Sequence, residues 1–163
     1  MPTGERIVLC VGACSASRAD ADASAAALLR EGLRVMHARS QDVAATLLSY
    51  VAPAVVVIDL GLVDGSPLAV ADFCNYRRPD ARVILVGCGS LMADGAIFGH
   101  VSNAAALVPR TISAQDMVAL IAFHADRGPA HSNTGDARPR TAEDLGGRRL
   151  PIGRHMMDEA LAS

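Results

Sequence analysis

Three short runs, Ile7-Val8-Leu9-Cys10-Val11, Val55-Val56-Val57-Ile58 and Val83-Ile84-Leu85-Val86, are apolar at every position. Alternation would bury one face of a strand, whereas unbroken β-branched runs this short fit parallel strands covered by helices on both sides. Arg34-Val35-Met36-His37-Ala38 and Ala105-Ala106-Leu107-Val108 are two further strand candidates.

Helix-length stretches separate these runs. Ala19 to Gly32 is rich in Ala and Leu and closes on a glycine, as helices often do. Ser40 caps a predicted helix over Gln41 to Val51, with Ala44, Leu47, Leu48 and Val51 at helical spacing. Ser66 can cap the next, and Pro67 suits the first helical position, where a missing N–H costs nothing; that helix runs to about Arg78, before Pro79. Met92 to His100 is a short candidate. Ser113-Ala114-Gln115-Asp116 resembles a capping box and opens a last helix through Ala125. Strand and helix thus alternate five times. The pattern predicts an α/β fold, a doubly wound five-stranded parallel sheet with helices on both faces.

At 163 residues the chain has room for about one domain with a real core. Hydrophobic residues make up 51% and aromatics 3%, so that core is aliphatic. From Arg127 the composition turns to Gly, Pro, Arg, Asn, Asp and Thr, which divides the chain into a domain over 1–126 and a linker-like tail over 127–163. In the tail six Arg face five acidic residues, so it is no polybasic arm. A short helix over 151–162 would align Ile152, Met156, Ala160 and Leu161, a stripe suited to docking on a groove. The tail leaves no space for a recognition helix with its supports, so direct nucleic-acid binding is not expected.

The net charge is −2, and no apolar run is long enough to span a bilayer. The N-terminus has no signal-peptide anatomy, and the expected location is the cytoplasm. The cysteines at 10, 14, 74 and 88 match no CxxC pair or zinc ribbon and read as buried small hydrophobes. All fifteen cations are Arg. Without lysine there is no Schiff base and no P-loop lysine. Nothing is spaced like a Ser-His-Asp or Cys-His arrangement, so no enzyme is expected.

Asp59 ends the third predicted strand, at the edge where open α/β sheets bind ligands. After it come Leu60-Gly61-Leu62-Val63-Asp64-Gly65-Ser66-Pro67, then Arg77-Arg78-Pro79 and the apolar run from Val83. This segment resembles the receiver domain of two-component response regulators, and the resemblance extends by element order over about residues 5 to 126. It implies the flavodoxin-like strand order 2-1-3-4-5, a phospho-acceptor at Asp59, and signalling partners such as a histidine kinase or another regulator. It also implies pairing through the last helices, here a homodimer over Met92 to His100 and Ser113 to Ala125.

The sequence departs from that family at three places. Receivers carry adjacent carboxylates after the first strand to hold Mg²⁺, which offsets the charge of phosphoryl transfer; here Gly12-Ala13 stand there. Gly87 replaces the Thr or Ser that ends the fourth strand, with Ser90 the nearest hydroxyl. Leu107-Val108-Pro109-Arg110 replaces the Lys before Pro: either Val108 takes its place or Arg110 stands one residue late. The expected pocket around Asp59 therefore comprises Gly12, Ala13, Asp64, Gly87, Ser90, Pro109 and Arg110. It belongs to a phosphorylation-independent pseudo-receiver, an interaction module with no cofactor.

The alternative is a working receiver, with Mg²⁺ held by Asp20, Asp22 and Asp59 and the phosphoryl group met by Ser90 and Arg110. Two other readings rest on less: a phosphate-binding turn at Gly87-Cys88-Gly89-Ser90, and a metal or thiol site at Cys14 and Cys88.

Overall fold

The computed structural model describes residues 5–15, 17–87 and 101–127. Five strands, β1 (Arg6–Val11), β2 (Leu33–Ala38), β3 (Val55–Asp59), β4 (Arg82–Gly87) and β5 (Ala104–Pro109), form one parallel sheet in the order β2-β1-β3-β4-β5. The helices described are α1 (Arg18–Arg30), α2 (Gln41–Tyr50), α3 (Pro67–Arg77) and α4 (Ala114–Asp126). The predicted architecture and strand order are both present. Ser90 and the helices expected over 92–100 and 151–162 lie outside the described residues.

The unbroken apolar runs have a simple cause, since each central strand is buried on both faces. Leu9 and Val11, Val56 and Ile58, and Val83 and Leu85 point to one side, against Ala44 and Leu48 of α2 and Val70, Ala71 and Cys74 of α3. Val8 and Cys10, Val55 and Val57, and Ile84 and Val86 point to the other, against Leu28 of α1 and Met117, Ile121 and Ala125 of α4. The pairing Val57↔Ile84 and Ile58↔Leu85 keeps like faces together. A one-residue slip would exchange the two cores.

Serine caps set the helix starts. The hydroxyls of Ser40, Ser66 and Ser113 accept from the amides of Val43, Ala69 and Asp116. Ser17 does the same for Asp20, so α1 starts at Arg18 and not Ala19. In both Ser-x-x-Asp caps the serine also donates its hydroxyl proton to the carboxylate, Ser17 to Asp20 and Ser113 to Asp116, each at 2.7 Å. Here the carboxylate meets the serine hydroxyl, where in a capping box the acid meets the cap N–H.

The strand C-termini gather at one edge of the sheet. There β1 ends at Val11 and turns through Gly12 with φ +83°, and β3 ends at Asp59. The loop after Asp59 is fastened to α2: the Gln41 amide donates to the Asp64 carbonyl at 3.0 Å, and the Ser66 amide donates to Gln41 Oε1 at 2.8 Å. A Cβ at Gly65, where φ is +105°, would collide with the Gln41 side chain.

Candidate functional site

Asp59 is 2% exposed, and no other acid is buried among the described residues. Burying a carboxylate is costly unless it is paired and hydrogen-bonded. Asp59 Oδ1 accepts from the Gly61 amide at 2.8 Å and from Arg110 Nη2 at 2.5 Å. The first bond is local, a turn in which the side chain binds the backbone two residues on. The second supplies the counter-charge.

Arg110 reaches Asp59 because the chain stays in register one residue past β5. Its amide donates to the Gly87 carbonyl at 3.1 Å, and its side chain returns over the end of β4 to β3. Glycines make the path. A Cβ at Gly61 would lie 2.5 Å from Arg110 Nη2, and one at Gly12 would lie 2.9 Å from Asp59 Cβ. Val108 is in the core with Ile84 and Val86. The two sequence alternatives thus resolve: Val108 packs, and Arg110, one residue late, holds the carboxylate directly.

Gly87 leaves a space that Leu60 fills. A Cβ at Gly87 would lie 2.9 Å from Leu60 Cδ1, and the Leu60 amide is held by the Val86 carbonyl at 2.8 Å. A hydroxyl side chain at the end of β4 has no room while Leu60 sits there.

A cleft of about 370 Å³ opens beside this pair, lined by Gly12, Ala13, Arg39, Asp59, Gly61, Leu62, Val63 and Arg110. Of the expected pocket, Gly12, Ala13 and Arg110 line it. Gly87, Pro109 and Asp64 do not: Gly87 lies beneath Leu60, Pro109 closes β5, and Asp64 is exposed with its carbonyl tied to Gln41. Arg39, Leu60 and Gly61 complete the site. Arg39 follows β2 in no motif, and the parts played by Leu60 and Gly61 follow from the β3–β4 and β4–β5 registers.

The set Asp20, Asp22 and Asp59 is not assembled. Asp20 caps α1 with Ser17 and faces a separate crevice with Cys14, Ser24 and Met117. Among the described residues no three His, Cys, Asp or Glu side chains come together. Mg²⁺ requires several hard oxygen ligands. The cleft beside Asp59 offers one carboxylate and two guanidinium groups, a donor set that does not fit a divalent cation.

Cys14 lies near Asp59 but is held away from reactivity. Its thiol contacts the carbonyls of Val11 and Val57 at 3.3 and 3.5 Å. Hydrogen bonding with Cys10, then burial, and then the charges of Cys10 and Asp59 push its pKa upward. Such a thiol stays protonated and is a poor ligand or nucleophile.

No protein-family model matches the sequence, and neither does any curated protein. Solved structures do match. A CheY-like response regulator receiver domain protein from Methanospirillum hungatei JF-1 superposes with a TM-score of 0.62 at 18% identity, over 74% of this chain and 94% of that one. The receiver domain of the Francisella response regulator 1452 matches with a TM-score of 0.60 at 15% identity, over 75% and 98%. A response regulator protein from Burkholderia pseudomallei, solved with a phosphorylated aspartic acid, calcium ion and citrate, matches with a TM-score of 0.57 at 22% identity, over 74% and 69%. The described domain therefore has the receiver fold, and the resemblance first seen around Asp59 extends through its architecture. No described helix is long and apolar enough to cross a membrane.

Proposed function

We propose that this chain is a receiver-like signalling protein that works by binding other proteins and does not depend on phosphoryl transfer to Asp59. The observation that carries the reading is the Arg110–Asp59 ion pair. A phosphoryl acceptor must expose its carboxylate to a metal-bound phosphodonor, and a guanidinium already bonded to that oxygen competes with both. The absence of a second carboxylate from the cleft lining among the described residues, and the Leu60 side chain over Gly87, support the same reading. The fold relates the chain to proteins that exchange signals with kinases and regulators, and its surface takes the role of output.

To test this, the full chain is incubated with Mg²⁺ and acetyl phosphate, and its intact mass is followed, with Asp59→Asn as control. The expected result is no adduct. Stoichiometric labelling that disappears in the Asp59→Asn protein overturns the proposal.

The second reading is a phosphorylatable receiver served by a histidine kinase or phosphotransfer protein. One observation favours it: among the described residues Asp59 Oδ2 accepts no hydrogen bond. The same experiment decides between the two.

A further inference from the structure

The cleft beside Asp59 carries more positive than negative charge. Asp59 neutralises Arg110, and Arg39, an exposed residue of the same lining, has no ion-pair or hydrogen-bond partner among the described residues. Arg110 spends one Nη2 proton on Asp59. Its Nη1 group makes no bond among the described residues, and its side chain is 37% exposed. Arg110 Nε is buried without a partner among the described residues, so a guanidinium fixed by the carboxylate through Nη2 presents Nη1 and the second Nη2 proton in a set direction, which suits recognition of planar or tetrahedral oxyanions.

The remainder of the lining supports the same occupant. Gly12, Ala13 and Gly61 add little bulk to the lining, and among the described residues no acid besides Asp59 lines the cleft. Val63, 99% exposed, stands at the rim as an apolar contact for whatever bears the charged group. The volume admits a carboxylate or phosphate with attached carbons.

We infer that this cleft is a receptor for one oxyanion, a carboxylate or phosphate group, clamped non-covalently between Arg39 and Arg110. The inference rests on the reading in which Asp59 keeps its ion pair, because that pair orients Arg110.

The test titrates inorganic phosphate, and separately succinate, into the full chain at constant ionic strength set with NaCl. Arginine side-chain resonances and calorimetry give the affinity. Saturable binding at about millimolar Kd is expected, the strength of a few charge-assisted bonds. Arg39→Gln should weaken it about tenfold. This exposed substitution leaves the Asp59 pair and the fold untouched. Shifts no larger than those caused by chloride, or binding indifferent to Arg39→Gln, overturn the inference.

Peptides carrying an exposed Glu or phosphoserine provide a second arm. Binding about tenfold tighter than the free anion supports a protein partner as the source, and equal binding supports a small metabolite. Acetyl phosphate labelling distinguishes the two ideas. Labelled Asp59 with saturable anion binding sinks only the proposed function, and absence of both sinks only the oxyanion site.

Discussion

Arg110 Nη2 and Asp59 Oδ1 meet across the end of β4, so the one buried acid among the described residues is balanced by a cation two strands away. Removing one partner of such a pair costs more than the pair itself contributes, because the other charge stays buried.

Arg110→Ala should therefore destabilise the protein by about 2 kcal/mol at neutral pH, below the cost for a fully buried pair because Arg110 is partly solvated. Adding Asp59→Asn should recover much of that loss. Urea unfolding of the single and double variants measures both. Equal stability of wild type and Arg110→Ala would show that the pair holds nothing in place.

Carboxylates can be reinstalled after β1 at only one of the two positions. Gly12→Asp forces a side chain into φ +83° and within 2.9 Å of Asp59 Cβ, and should cost about 2 kcal/mol or more. Ala13→Asp meets neither obstacle and should leave the melting temperature within a few degrees. Differential scanning fluorimetry compares them.

Gly87→Ser should destabilise by overpacking, about 1–3 kcal/mol, because its Cβ meets Leu60 Cδ1 at 2.9 Å. Leu60→Ala in the same chain should relieve that clash. A double variant more stable than Gly87→Ser alone, by thermal unfolding, would verify that Leu60 occupies the hydroxyl's place.

His124 is buried at the end of α4, and burial, with Arg82 and Arg127 nearby, lowers its pKa below 6.5. The unfolded chain then binds the proton more readily than the folded one. Stability contributed by neutral His124 is present above pH 6.5 and is lost as pH falls through that value. His124 Nδ1 has no hydrogen-bond partner among the described residues, so His124→Leu breaks no bond there. That variant should flatten the fall in melting temperature between about pH 7.5 and 5.5.

Cys74 is pushed to about 11, first by burial. Its thiolate is about a hundredfold scarcer at neutral pH than that of a free thiol, so iodoacetamide should label Cys74 slowly until the protein unfolds. Peptide mass spectrometry with and without urea reads the difference.

The fold was legible because its signals are local. Each central strand is an unbroken apolar run, and Ser66-Pro67 and Ser113 write helix starts directly. Ser17 carried the same Ser-x-x-Asp signal as Ser113, but Arg18 and Asp20 hid it by making the first turn polar. At the site, position along the chain identified Asp59 and Arg110, whereas their contact depends on where a long side chain turns after leaving β5. Leu60 was unreadable for a related reason. Its place over Gly87 exists only once β3 and β4 are paired in register, and no spacing within either strand encodes it. Arg39 lies twenty residues before Asp59 in sequence and joins it only because β2 and β3 flank β1.

The loop after Asp59 is an arch whose two feet are tied to different elements, the first to β4 by the Leu60 amide on the Val86 carbonyl and the second to α2 by Gln41 to Asp64 and Ser66. Val63 stands at its crown. A molecule that grips Val63 therefore pulls on β4 through one foot and on the first turn of α2 through the other, instead of on a freely hinged loop.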